Sequence, residues 1–142
     1  MELVPKPATS RGPAERFTGT VWVDSIAGSS PTSPRFGVGL VRFAPGARTA
    51  WHVHALGQTL HITQGTAIVQ TRDGNTILAQ PGQTVYTPPG EWHWHGALED
   101  TFMEHLALSE SLPPEDGQTV TWGEHVSDDV YHNAQTKGVT NE

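Results

Sequence analysis

The sequence predicts an all-β protein, a sandwich or barrel of many short strands. Three observations carry this expectation. Fifteen glycines and eleven prolines in 142 residues supply many turns. Between them lie roughly ten short runs rich in β-branched or apolar residues, spaced as in a sandwich or barrel. Asp73-Gly74 sits between two such runs and is a strong hairpin signal. The length suggests one domain with one core.

Residues 1–15 mix proline, serine, glycine and charge without a period. They read as an extended arm, disordered or laid along a partner. Residues 16–126 are expected to form the barrel, and 127–142 a short helix and tail. Thr18–Asp24 reads as the first strand. Ser25–Pro34 is a loop by composition, either a plain surface loop or a lid. Arg35–Phe43 alternates, with Phe36, Val38, Leu40 and Arg42 on one face and Gly37, Gly39, Val41 and Phe43 on the other. Ala44-Pro45-Gly46 is a turn. Thr49–His54, Thr59–Thr63 and Thr66–Arg72 follow, then Thr76–Leu78 across the hairpin. Pro81-Gly82 leads into Gln83–Thr87, Pro88-Pro89-Gly90 into Trp92–Ala97, and Phe102–Ser109 comes next. Leu112–Gly117 is a loop, and Thr119–Trp122 an added edge strand. Ser127–Gln135 reads as one or two helical turns, with Ser127 as N-cap and acids in the first turn. The last residues are expected to fray.

Composition narrows the function. There are no cysteines, so disulfides, thiolate zinc sites and cysteine nucleophiles are excluded, and any metal must be held by nitrogen and oxygen. The net charge is −7 with histidine neutral, and no Lys/Arg cluster exists, which argues against nucleic-acid partners. No apolar run approaches a membrane span, and the N-terminus lacks the apolar segment of a signal peptide. A cytoplasmic protein without membrane partners is expected, with a small molecule as its substrate.

Two stretches carry the chemistry. In Gly46–Gly65, His52 and His54 sit two apart, so on a strand both imidazoles share one face and can hold one ion. Gly57 turns the chain, and the amide oxygen of Gln58 can return to the same ion from the next strand. In Gly82–Gly96, His93 and His95 repeat the spacing after the Pro88-Pro89-Gly90 turn. A lone His-x-His is weak, but the combination is specific. The first stretch is Gly, five residues, His-x-His, three residues, Gln, six residues, Gly; the second is Gly, five residues, Pro-x-Gly, two residues, His. In order and spacing these blocks resemble the two signature motifs of the cupin superfamily, over about residues 35 to 109. The resemblance implies a double-stranded β-helix, or jelly roll, barrel with a short C-terminal helical turn. Gln58 stands where most cupins carry Glu, and Ala97 where the second motif often ends in Asn.

A narrower resemblance rests on Pro45–Leu60, Phe17-Thr18-Gly19-Thr20, Pro89–Gly96, His105-Leu106-Ala107 and Glu124-His125-Val126. These are similar to the small bacterial manganese-dependent cupin hydroxynitrile lyases. The resemblance implies metal ligands at His52, His54, Gln58 and His93, with His95 and His105 in the pocket serving proton transfer. It implies reversible cleavage of an aromatic (R)-cyanohydrin such as mandelonitrile, and a homodimer or homotetramer. Mn(II) is the expected metal, although imidazole and amide donors also accept Fe, Ni or Zn.

Alternation sorts the remaining side chains. His61 points away from Gln58, toward a sheet–sheet or subunit contact. His95 faces the same cavity as His93, where a fifth protein ligand would crowd the open positions a reaction needs. His105 is in phase with Met103 and Ala107; it is either a pocket residue or a core histidine bonded to a carbonyl. His125 and His132 belong to the polar tail. Trp51 and Trp94 point away from the histidines, into second-face packing or a dimer contact, while Trp22, Trp92 and Trp122 remain unassigned. Small residues at Gly39, Val41 and Ser109 are expected to leave room for an aromatic ring. Three neutral imidazoles and a neutral amide leave a divalent ion its full charge, which favours Lewis-acid lyase or isomerase chemistry over oxygen activation. The rival readings are a non-enzymatic metal- or small-molecule-binding cupin, and a cupin dioxygenase or isomerase acting on a small oxo compound.

Overall fold

A computed structural model describes residues 1–140 as two curled antiparallel sheets facing each other, followed by one helix. The first sheet has six strands. Their order is β1 (Ser10–Arg11), β3 (Val21–Ala27), β4 (Phe36–Phe43), β12 (Met103–Glu110), β7 (Gln58–Gly65) and β10 (Thr84–Thr87). The second runs β13 (Val120–Trp122), β6 (His52–His54), β11 (His93–Ala97), β5 (Arg48–Thr49) and β2 (Phe17–Thr18). There β8 (Ala67–Thr71) also pairs with β11 and carries β9 (Thr76–Ala79). The 73–74 turn joins β8 to β9, as the Asp-Gly signal predicts.

Two expected strands are each split in two. Thr18–Asp24 breaks at Gly19, whose φ of +82° carries the chain from β2 in one sheet to β3 in the other. Thr49–His54 breaks at Ala50–Trp51. There the backbone N–H groups donate to Arg16 O and Glu124 O, so β5 and β6 find different partners. The expected arm is partly sheet: Ser10 and Arg11 pair with Val23 and Trp22, and Thr9 Oγ1 donates to Asp24 Oδ1. Ser25–Ala27 belong to β3, and the loop after them lines a cavity together with Val4–Pro7 of the arm.

Between the sheets lies a core of Val21, Phe43, Leu60, Ile62, Val69 and Met103. β8 and β11 are buried on both faces. Their outer residues Ile68 and Trp94 pack with Trp51, Val126, Tyr131 and Ala134 under the helix α1 (Asp128–Thr140). Trp51 and Trp94 are therefore packing residues of the second face. The helix is longer than one or two turns. Ser127 Oγ accepts the N–H of Val130, as an N-cap should. Residues 141–142, in the stretch expected to fray, lie outside the described residues. No helix among the described residues is long and apolar enough to cross a membrane.

Candidate metal centre

β6 and β11 run antiparallel with His52 opposite His93, so strand alternation sends His52, His54, His93 and His95 to the inside. Gln58 begins β7 on the facing sheet, and His105 enters from β12 beside it. All six side chains are buried. The ligating atoms of His52, His93 and His95 lie within 4.8 Å of one another. Gln58 Oε1 is 3.0 Å from His93 Nε2. His54 stands just outside this group, its ring centroid 5.4 Å from that of His52 and 5.9 Å from that of His93. The structure thus brings the expected ligands His52, Gln58 and His93 together, sets His54 beside them, and places His95 within ligand reach.

The backbone fixes two of the rings. His52 Nδ1 faces Ala50 O at 2.9 Å, and His93 Nδ1 faces Glu91 O at 3.0 Å. Burial lowers the pKa of both, so each is neutral and gives its single proton to the carbonyl. Nε2 then carries a lone pair in both. At His93 that lone pair meets the Gln58 amide oxygen, itself an acceptor, with no proton between them. Two acceptors in contact across a buried gap call for a cation. His54 Nδ1 and His95 Nε2 are likewise buried without a partner. Burial lowers the pKa of His54 to about 4, and its neighbour His93 adds to this because the two do not both take up a proton side by side; burial also puts that of His95 well below its ordinary value. Uncharged nitrogen and oxygen donors on two facing sheets fit a divalent transition ion. A carbonyl behind each of two ligating rings is the usual support for such a site.

The inner end of the site is a pair of imidazoles. His105 Nε2 lies 3.1 Å from His95 Nδ1, and His105 Nδ1 is buried with no partner. No carbonyl satisfies the ring, so the core-histidine alternative lacks its expected bond. Burial lowers the His105 pKa to about 4. The ring of Phe43 packs 5.9 Å from His95 and 5.3 Å from His105, closing the pocket floor. Thr49 Oγ1 accepts the backbone N–H of His95. Behind it, a side chain on Gly96 would come within 2.5 Å of Ala47 O, so β11 lies hard against the chain before β5.

A model of the cupin domain matches residues 39–108 of the chain. A protein of Granulicella tundricola named (R)-mandelonitrile lyase is 47% identical over 124 residues, covering 87% of this chain and 92% of that protein. The chain belongs to the cupin family. Its fold agrees: a cupin-like protein from Thermotoga maritima, 32% identical, superposes with a TM-score of 0.80 over 94% of this cupin and 97% of its own chain. The polyketide cyclase RemF from Streptomyces resistomycificus is 20% identical, with a TM-score of 0.66 over 99% and 96% of the two chains, a likeness of fold alone. The two sheets are accordingly the halves of a double-stranded β-helix.

Other side chains of this cupin fall as follows. Val41 is opposite His105 across the β4–β12 ladder, and Gly39 opposite Ala107. Ser109 lines a cavity of about 280 Å³ with Phe36, Leu56, Gln58, Tyr86 and Leu108 at the end of the six-stranded sheet. His61 faces outward and bonds Thr84 Oγ1. Trp122 is stacked on His52 at 4.6 Å between ring centroids, a support for the site that sequence reasoning left unassigned. Only the pairing of β13 with β6 reveals it, since Trp122 sits opposite His52 in that ladder.

Proposed function

We propose that this cupin is a metal-dependent hydroxynitrile lyase. It cleaves aromatic (R)-cyanohydrins such as mandelonitrile to the aldehyde and hydrogen cyanide, and it runs the reverse addition. The name of the Granulicella tundricola relative, over nearly the full length of both chains, supports the substrate class. The observation that carries the chemistry is His95, a buried, uncharged imidazole whose Nε2 has no partner and whose ring offers a nitrogen within 4.8 Å of those of His52 and His93.

His52, His54, Gln58 and His93 would hold the ion, and Mn(II) is the proposed occupant. Bound there, it supplies a Lewis-acid charge for the developing negative oxygen. The protein's own residues then manage position and protons. Phe43 and the core behind it exclude water from the inner end of the pocket. Gly39, Val41 and Ser109 leave space on β4 and β12 for the aromatic ring. A neutral imidazole of the His95–His105 pair takes the hydroxyl proton as the bond between the carbinol carbon and the nitrile breaks. Cyanide departs with the electron pair of that bond, and the same imidazole returns the proton to it. Because the two rings share one hydrogen bond, each fixes the tautomer of the other, so the acceptor nitrogen is presented in one orientation.

The test is elemental analysis of the purified protein, joined to chiral assay of mandelonitrile cleavage before and after chelation. Cleavage of the (R) enantiomer that disappears with the metal and returns on reloading is expected. A metal-replete protein that leaves both enantiomers intact overturns the proposal.

A further inference from the structure

The ladder between β7 and β12 stops one pair short of Gln58. Leu108 faces Thr59 in its last pair, and beyond it the two strands part. Ser109 and Glu110 stay with Gly37 and Phe36 of β4, while Gln58 stays with Thr87 of β10. The sheet therefore has a slot at this point. The cavity of about 280 Å³ fills it, and the lining shows where it leads. Gln58 and Ser109 alternate with the outward Thr59 and Leu108, so they face the barrel interior. Phe36, Leu56 and Tyr86 line the same cavity and are 47%, 36% and 63% exposed. The slot thus runs from solvent through the wall of the barrel to Gln58, one of the proposed ligands.

Size and lining suit an aromatic group. An apolar cavity of about 150 Å³ is enough to take up benzene, so this one has room for about two rings. Phe36 and Tyr86 are partners for a further aromatic ring, and Leu56 adds an aliphatic contact. Glu110 is exposed and is the one charged side chain among the described residues lining the slot. No Lys or Arg there offsets it. At about 4–6 Å in water, one unit charge changes the binding of another by roughly three- to sixfold. We propose that the aryl group of the substrate lodges in this slot, ring toward Phe36 and Leu56 and para position toward Glu110. The site then takes extended, uncharged aromatic cyanohydrins and turns away anionic ones. The identity of the substrate rests on the lyase reading above; the selectivity rests on the slot.

The test compares two aldehydes of nearly the same shape, para-formylbenzenesulfonate and para-(methylsulfonyl)benzaldehyde, one anionic and one neutral. Their dissociation constants are measured by calorimetry on the metal-loaded protein without cyanide, so that binding is read apart from turnover. The wild type is expected to hold the neutral aldehyde more tightly. Glu110→Gln should shrink that preference roughly three- to sixfold, and Glu110→Lys about tenfold or more, with the shift weakening as salt is added. The ratio of kcat/KM for the two corresponding cyanohydrins should move in the same direction. Leu56→Trp narrows the slot, and naphthaldehyde should then lose about tenfold in affinity relative to benzaldehyde. A protein whose binding ratios shift in this way but which cleaves no cyanohydrin would keep the slot as an aryl site and overturn the lyase reading alone. A sulfonate-to-sulfone ratio that is the same in wild type, Glu110→Gln and Glu110→Lys overturns the slot proposal whatever the activity, as does an unchanged naphthaldehyde-to-benzaldehyde ratio in Leu56→Trp.

Discussion

In the proposed metal site, Gln58 would set the charge. A carboxylate there would cancel one of the two charges of a divalent ion. At about 4 Å and an effective dielectric of 20, that difference amounts to roughly 4 kcal/mol on a developing oxyanion, an upper figure for a wet pocket. Gln58→Glu is expected to keep its metal and to lose about ten- to a thousandfold in turnover per bound ion, which elemental analysis with kcat measures. His52→Ala and His93→Ala remove two of the proposed ligands, whose rings are already aimed by Ala50 O and Glu91 O. Both are expected to lose metal and activity together in the same pair of measurements. His105→Ala should keep the metal and lower kcat about 100-fold or more, the ordinary worth of a positioned proton acceptor. Normal turnover by that variant would remove His105 from the chemistry. The inward turn of His52, His54 and His93 was legible because side chains two apart share a face of a strand. The nearness of His95 to the ligating atoms was not, since alternation fixes the face of a ring and not its distance from a point on another strand. The Trp122 stack was hidden for the same reason.

At the scale of elements, the strands that carry the histidines are held from outside. Tyr131 OH donates to the carbonyl of Ala97, the last residue of β11, and Arg48 lies over the Tyr131 ring at 4.4 Å while bonding Val126 O. α1 is thus tied directly to the strand bearing His93 and His95. Tyr131→Phe leaves the ring in place and the buried carbonyl without its donor. A loss of about 1–3 kcal/mol of stability is expected, with metal stoichiometry unchanged. Thermal unfolding with metal analysis checks both parts. Most strand positions could be read from β-branched runs and turn residues, as in Asp73-Gly74 between β8 and β9. The breaks in Thr18–Asp24 and Thr49–His54 could not. They occur where the chain changes sheets or pairing partners, and the local sequence stays β-like through both. Tyr131 and Ala134, both within the expected helical stretch, pack with Trp94 and Ile68 and anchor the helix, which runs on past Gln135 to Thr140.

For the whole molecule, the histidine cluster couples folding to pH. His52, His54, His93, His95 and His105 all have pKa values lowered by burial in the folded chain. In the unfolded chain each titrates near 6.5. Below that pH the unfolded state binds more protons than the folded one, so stability falls as pH falls. For His105 the folded value is about 4, and the loss accumulates between about 6.5 and 4. From this one fully buried group it reaches the order of 3 kcal/mol. Asp24, Asp73, Glu124 and Asp128 also have lowered values, but their contribution is lost only below their own unfolded pKa values near 4. The two windows are therefore separable. Chelated protein is expected to lose melting temperature steadily from pH 6.5 to 4.5, before its carboxylates titrate. Metal-loaded protein should begin higher, because an ion that binds only the folded chain stabilises it by mass action. It should then fall more steeply, since protons compete with the ion for the same imidazole lone pairs. The gap between the two melting curves should close as pH approaches 4.5. A gap that stays constant across this range would mean that the ion is not held by histidine.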